Sequence, residues 1–266
     1  MSADRSPLLD HPIDAPSVFT PGDLMDAVRR ARQLDVQPVP PLCILDFDGD
    51  LSDGLVRDGT ATPSASWACF HTQMLIVKIE GMECGVVPRT IGGPYAVLIA
   101  EQLHAAGARL IVGLTSAGRL KPDLPMPSIV VADEAVRDEG TSLHYVQAAT
   151  TITTPTPTLV THLSREFETV SLVEHGLVWT TDAPYRETEE QLQRWATAGA
   201  LAVEMQAASL FAFATASGAH VGLVALVSNS PAQSHEQFDT GGHGYRLRVL
   251  TAVARAAGAF LDGPHR

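Results

Sequence analysis

Ala202-Val203-Glu204-Met205-Gln206-Ala207-Ala208-Ser209-Leu210-Phe211-Ala212 is the stretch around which the chain is organised. A short apolar run leads into it, and a long alanine-rich run leads out. Apolar residues up to Val203 suit a buried strand, and Ala207, Ala208, Leu210, Phe211 and Ala214 suit a buried helix. Glu204 then stands at the mouth of a packed strand–helix joint. A lone buried carboxylate is costly, so an acid in that place has a partner or a ligand. Strand ends in open α/β sheets are where ligands sit. The plainer alternative is an acid that complements the dipole at a helix N-terminus.

Working outward, apolar runs of strand length alternate with helical patterns. Residues 1–21 are rich in Pro, Asp and Ser and read as an arm, loose or docked on a neighbouring subunit. A helix is expected over about 21–32, then a Pro-rich connector over 36–41. The first buried strand is expected at 42–47, running into the acidic glycine loop 48–53. A hairpin is expected over 70–88, turning at 80–82. Helix 95–106 has Pro near its first turn and Gly107 beyond its end. Further strands are expected at 108–113, 127–132, 172–181 and 221–227. Residues 114–118 read as a loop, 187–198 as a solvated helix and 244–261 as a closing helix. The expected fold is α/β: a three-layer sandwich around a central mixed, mostly parallel sheet. The division is an N-terminal arm and helix over 1–41 and one domain over 42–266.

Composition excludes several classes. A formal net charge of −12 repels phosphate backbones, so no nucleic-acid partner is expected. No apolar run reaches membrane-spanning length, and no apolar leader is visible, so a cytoplasmic protein without a membrane partner is expected. The three cysteines, Cys43, Cys69 and Cys84, have no metal-type spacing and read as buried thiols. No metal site and no cofactor are expected. The loop 48–53 also resembles the Asp-x-Asp start of haloacid-dehalogenase-type phosphatases, but nothing later completes that pattern.

Glu204-Met205-Gln206-Ala207-Ala208 resembles the Glu-Met-Glu-Ala-Ala signature of the nucleoside phosphorylase and uridine phosphorylase superfamily. Four more segments resemble that family in the required order. Ile91-Gly92-Gly93-Pro94 is similar to its glycine-rich helix start. Gly113-Leu114-Thr115-Ser116-Ala117-Gly118 is similar to its Arg-x-Gly-Ser-Cys-Gly loop. The run from Val136 to Tyr145 is similar to Val-Arg-x-x-Gly-x-Ser-x-His, and the run from Thr180 to Tyr185 to Ser-Ser-Asp-x-Phe-Tyr.

The resemblance implies cleavage of an N-glycosidic bond. Such cleavage builds an oxocarbenium-like sugar, which must be held by its hydroxyls while the base leaves and a nucleophile approaches the other face. It implies Glu204 as a catalytic residue, Met205 against the ribose, and Gln206 in place of the acid that holds the sugar hydroxyls. Ser116 matches the hydroxyl that holds phosphate or ribose, with Ala117 and Gly118 beside it. A serine capping a loop is the plainer reading. Arg137 and Asn229 are the further catalytic candidates, and Arg137, Asp138, His144 and Tyr145 are implied on the base side, with Pro184 in the adjoining segment. His144 also reads as an ordinary buried hydrogen-bonding group.

Several positions depart from the family pattern. Gly113 stands where phosphorolytic members carry a phosphate-binding arginine. Asp53 stands in place of a second arginine, in a segment where Gly49 begins the family's Gly-Asp-Pro-x-Arg. Arg57, Arg89 and Arg119 are the candidate substitutes. Asn229 stands where purine-cleaving relatives carry an acid, and Asn cannot protonate a base. Thr188 and Glu190 fall near the Gln and Arg that read uracil. The expected function is pentosyl transfer from a nucleoside to phosphate, with phosphate a co-substrate. Phosphate-independent hydrolysis and a non-catalytic nucleoside-binding role are the alternatives. The resemblance implies a homodimer or homohexamer.

Overall fold

The computed structural model describes residues 6–10, 12–229 and 242–263, and of Asn229 only the backbone. The helices are α1 (Pro21–Arg32), α2 (Asp50–Arg57), α3 (Gly93–Ala105), α4 (Pro157–Phe167), α5 (Glu189–Thr197), α6 (Ala207–Ser217) and α7 (His243–Asp262). The strands are β1 (Leu42–Asp46), β2 (Ala61–Pro63), β3 (Leu75–Ile79), β4 (Met82–Pro88) and β5 (Leu110–Arg119). They continue with β6 (Ser128–Asp138), β7 (Thr151–Thr153), β8 (Val173–Thr181), β9 (Ala202–Glu204) and β10 (Val221–Asn229).

All described strands join one mixed sheet in the order β10-β6-β8-β9-β5-β1-β4-β3-β2, with β7 beside β6. β10 also pairs with β5, so β5, β10, β6, β8 and β9 close on one another and the central layer curls. β1 is parallel to β4 and β5, β10 to β5, and β8 to β6 and β9. Antiparallel pairs lie along β2-β3-β4 and where β5 meets β9, β6 meets β10 and β6 meets β7. Every residue of β1 is buried, the apolar run 42–45 and Asp46 alike, as in a strand covered on both faces.

One face of the sheet packs on α1, α3 and α6 through Met25, Val28, Val97, Leu103, Leu210 and Phe211. The other packs on α2, α4 and α7 through Leu51, Leu55, Leu159, Leu163, Val249 and Val253. α5 covers neither face and lays Leu192 and Trp195 on a small cluster around Trp179 and Val203. The β3–β4 turn carries positive φ at both Glu80 and Gly81, as a tight hairpin requires.

Two local expectations are corrected. Residues 114–118 are not a loop: β5 continues through them because β10 supplies hydrogen-bonding partners from Val224 to Asn229. Most of the acidic stretch 48–53 is not a loop either. Gly49 turns the chain at φ 87°, and α2 starts at Asp50 with Leu51 and Leu55 one turn apart in the core. The arm does not stand free: Leu8 borders cavities formed with Arg137, His144 and Tyr145 of its own chain.

Candidate active site

Glu204 ends β9, with Thr180 of β8 on one side; on the other, Gly118 of β5 pairs with Val203. Its side chain is 4% exposed and accepts three hydrogen bonds. Thr180 Oγ1 donates to Oε1 at 2.5 Å. The N–H groups of Gln206 and Ala207 donate to Oε2 at 2.6 and 2.9 Å. Burial raises its pKa to about 7 against these three donors, which favour the carboxylate. A carboxylate has about four acceptor directions, so one remains for a ligand hydroxyl. The chain therefore supplies both readings of this acid at once: it caps α6 and faces a cavity.

That cavity has a volume of about 400 Å³. Glu204, Met205 and Gln206 form one wall, and Thr115, Ser116, Ala117 and Gly118 form another. Asp48, Ile91, Pro184, Tyr185 and Glu187 complete it. Of the residues singled out in the sequence, the fold brings Glu204, Met205, Gln206, Ser116, Ala117, Gly118 and Pro184 together. Gln206 is buried, and its Oε1 accepts from the Met205 N–H at 3.3 Å, which holds the amide against the corner.

Two acidic lining residues were missed. Glu187 bears a carboxyl that burial raises to about 7; it follows the 184–186 turn and reads in sequence as one more acid of a solvated helix. Asp48 accepts from the Ser116 N–H at 2.8 Å with one oxygen and from Ser116 Oγ at 3.0 Å with the other. The only sequence signal was the acidic glycine loop 48–53, and nothing local reveals a bond across 68 residues.

The phosphate-side positions lie as follows. A Cβ built on Gly113 would lie 2.7 Å from the Phe47 ring, so that ring fills the space a longer residue would take. Asp53 faces outward from α2 and pairs with Arg89 at 2.6 Å. The Arg89 side chain runs beside Gly49, where a Cβ would approach it to 2.8 Å. Arg119 donates to the Leu124 carbonyl at 3.3 Å. Among the described residues no arginine or lysine lines the cavity, so neither Arg57, Arg89 nor Arg119 takes the clamp position there. Behind this wall Asp46 is buried, with one oxygen on the Ser52 N–H and Oγ and the other without a hydrogen-bond partner. Burial raises its pKa. The buried Arg246, bonded to Asp50 at 3.0 Å, is a nearby counter-charge, and Arg89 also feels the Asp46 charge.

The base-side residues separate from the cavity. Arg137 is consumed by its own loop: it donates to Ser142 Oγ at 2.8 Å, the Gln147 carbonyl at 2.6 Å and the Val146 carbonyl at 3.3 Å. It borders a neighbouring cavity with Asp138, Asp182 and Glu187. Tyr145 donates to Glu101 at 2.9 Å and, with His144, lines a third cavity beside α3. Glu139 links these parts: one of its oxygens accepts from the Ser142 N–H at 2.9 Å and from Ser209 Oγ of α6 at 2.6 Å. Asn229 pairs with Gly118 through its backbone, past a bulge after Val227, and its side chain lies outside the described residues.

A family model described as "Phosphorylase superfamily" matches residues 42–261. The chain belongs to the phosphorylase superfamily. This superfamily member is 27% identical to the guanosine phosphorylase of Halorubrum lacusprofundi over 151 residues, 57% of this chain and 63% of that protein. It is 29% identical to a uridine phosphorylase of Treponema pallidum over 155 residues, 53% of this chain and 59% of that protein. The superfamily member therefore spans less than two thirds of the length of these relatives. The fold is that of a uridine phosphorylase from Vibrio fischeri ES114, with a TM-score of 0.71 at 23% identity, over 85% of this chain and 95% of that one.

Proposed function

We propose that this protein cleaves the N-glycosidic bond of a nucleoside and passes the pentosyl group to an acceptor on the Ser116 side. The observation that carries the reading is the shared cavity of Glu204, Met205 and Gln206 with Ser116. A pentose placed there has the remaining acceptor direction of Glu204 and the Gln206 amide for its hydroxyls, and the Met205 thioether for its apolar face. Holding the hydroxyls of a ring that gains positive charge favours the transition state over the bound nucleoside. Relatives named guanosine phosphorylase and uridine phosphorylase support phosphate as the acceptor in the family reaction.

The base lies toward Pro184, Tyr185 and Glu187. With Asn229 unable to act as an acid, Glu187 is the carboxyl placed to meet the departing base. No cofactor is part of this reading. The catalytic unit is 42–266, and a cytoplasmic homodimer or homohexamer fits the family. Tyr185 is 99% exposed at the cavity rim and Ile91 is also exposed there, a surface suited to a neighbouring subunit.

The test is base release from a panel of purine and pyrimidine nucleosides, followed by chromatography. At least one nucleoside is expected to be cleaved, and Glu204→Ala is expected to abolish the release. Tight binding of a nucleoside with no release from any member of the panel would establish a non-catalytic role instead.

A further inference from the structure

We propose that Asp48 selects the acceptor: its carboxylate occupies the Ser116 N–H and hydroxyl that would otherwise hold phosphate, so the pentosyl group passes to water. This rests on reading the cavity as a site of N-glycosidic cleavage. A backbone N–H and a hydroxyl from one residue form a small anion-binding notch. Here the chain supplies its own anion to that notch, one oxygen to each donor, at 2.8 and 3.0 Å. Asp48 lines the cavity, so the occupied notch faces the substrate space.

The surroundings act in the same sense. Phe47, adjacent in sequence, is buried with its ring over Gly113, which removes the route by which a cationic side chain at 113 could reach the notch. Arg89 is bonded to Asp53 rather than turned into the cavity. A phosphate entering this space meets a carboxylate with no cation among the described lining residues to offset it. Water carries no charge and can donate to Asp48 while the two Ser116 bonds persist.

The step balances without a further reactant. The C1′–N bond breaks and its electron pair leaves with the base. The oxygen of water bonds to C1′ and gives up a proton, and the base gains one. The products are the free pentose and the free base, with nothing oxidised or reduced.

Binding of inorganic phosphate to the full chain is measured by ³¹P NMR line broadening. Asp48→Ala is expected to bind phosphate at least about tenfold more tightly than the wild type. Adding Ser116→Ala to it is expected to abolish the gain. Asp48→Asn, which keeps the shape and removes the charge, is expected to gain in the same direction and guards against a misfolded alanine variant. Equal phosphate affinity in the wild type and both Asp48 variants overturns the proposal. In the cleavage assay, free pentose at a rate unchanged by phosphate supports it, and pentose 1-phosphate as the product overturns it. Failure to cleave any nucleoside counts against the activity reading, while the phosphate titration still decides whether Asp48 closes the notch.

Discussion

Replacing Glu204 by glutamine separates the charge of the strand–helix corner from its shape. Glutamine Oε1 can still accept from the Gln206 and Ala207 N–H groups. Its Nε2 then faces Thr180 Oγ1, whose hydrogen loses its acceptor at a cost of about 1 kcal/mol that does not vary with pH. The larger effect is linkage. Burial raises the Glu204 carboxyl from 4.5 to about 7. Across that window the unfolded chain ionises at this position while the folded chain keeps its proton. Wild-type stability therefore falls as pH rises from 4.5 to about 7, by about 3 kcal/mol, and the cost is complete above the folded pKa. Glutamine has no such dependence. The stability of Glu204→Gln relative to wild type should grow by about 3 kcal/mol between about pH 4.5 and pH 8, read from urea unfolding of both proteins in parallel. The variant should also lose about ten- to a hundredfold in kcat/KM at about pH 8, the worth of one charge-assisted hydrogen bond to the sugar. A stability difference that stays flat across the window, with an unchanged rate, would refute both the titration and the placement of the sugar.

Glu187→Gln should change the pH profile of cleavage near pH 7 and should also flatten part of the fall in stability between about pH 4.5 and 7, by less than Glu204→Gln because Glu187 is only partly buried and Glu204 fully so. Gly113→Ala should destabilise the fold by about 1–3 kcal/mol, since its Cβ meets the Phe47 ring, and Phe47→Leu in the same chain should recover part of that in urea unfolding. Arg246→Met should cost roughly 2–3 kcal/mol: it strips the partner from Asp50, which is part-exposed, and a counter-charge from buried Asp46. Met205→Ala should raise KM more than it lowers kcat in steady-state assays, as loss of a wall contact made equally in the ground and transition states.

The corner around Glu204 was legible because its cause is local. An apolar strand, an acid and an alanine-rich helix follow one another, and packing leaves the acid one place to go. The alternation of strands and helices was legible for the same reason. The first turn of α2 was not, because Asp50, Ser52 and Asp53 look like a loop until Leu51 and Leu55 are seen to share one buried face. The strand through Ser116 was hidden because its hydrogen-bonding partners come from β10, more than a hundred residues away. Arg137 illustrates the opposite failure. The motif around it is family-like, yet its guanidinium is spent on carbonyls 9 and 10 residues further along the chain. A motif fixes which side chain is present, and the loop it sits in fixes what remains for a ligand. Asp48 and Ser116 read separately as a loop acid and a loop serine; only the register of β1 beside β5 makes them partners.

Glu139 Oε2 holds the 141–144 turn and the start of α6 through a single atom. A second strut runs from Asp182 to the Gly140 N–H. Three stretches distant in sequence are thus bolted to one bracket around the Glu204 corner. Amide exchange in the three should slow or quicken in concert, and a fragment wedged under Tyr145 should be sensed at Glu204 without touching it.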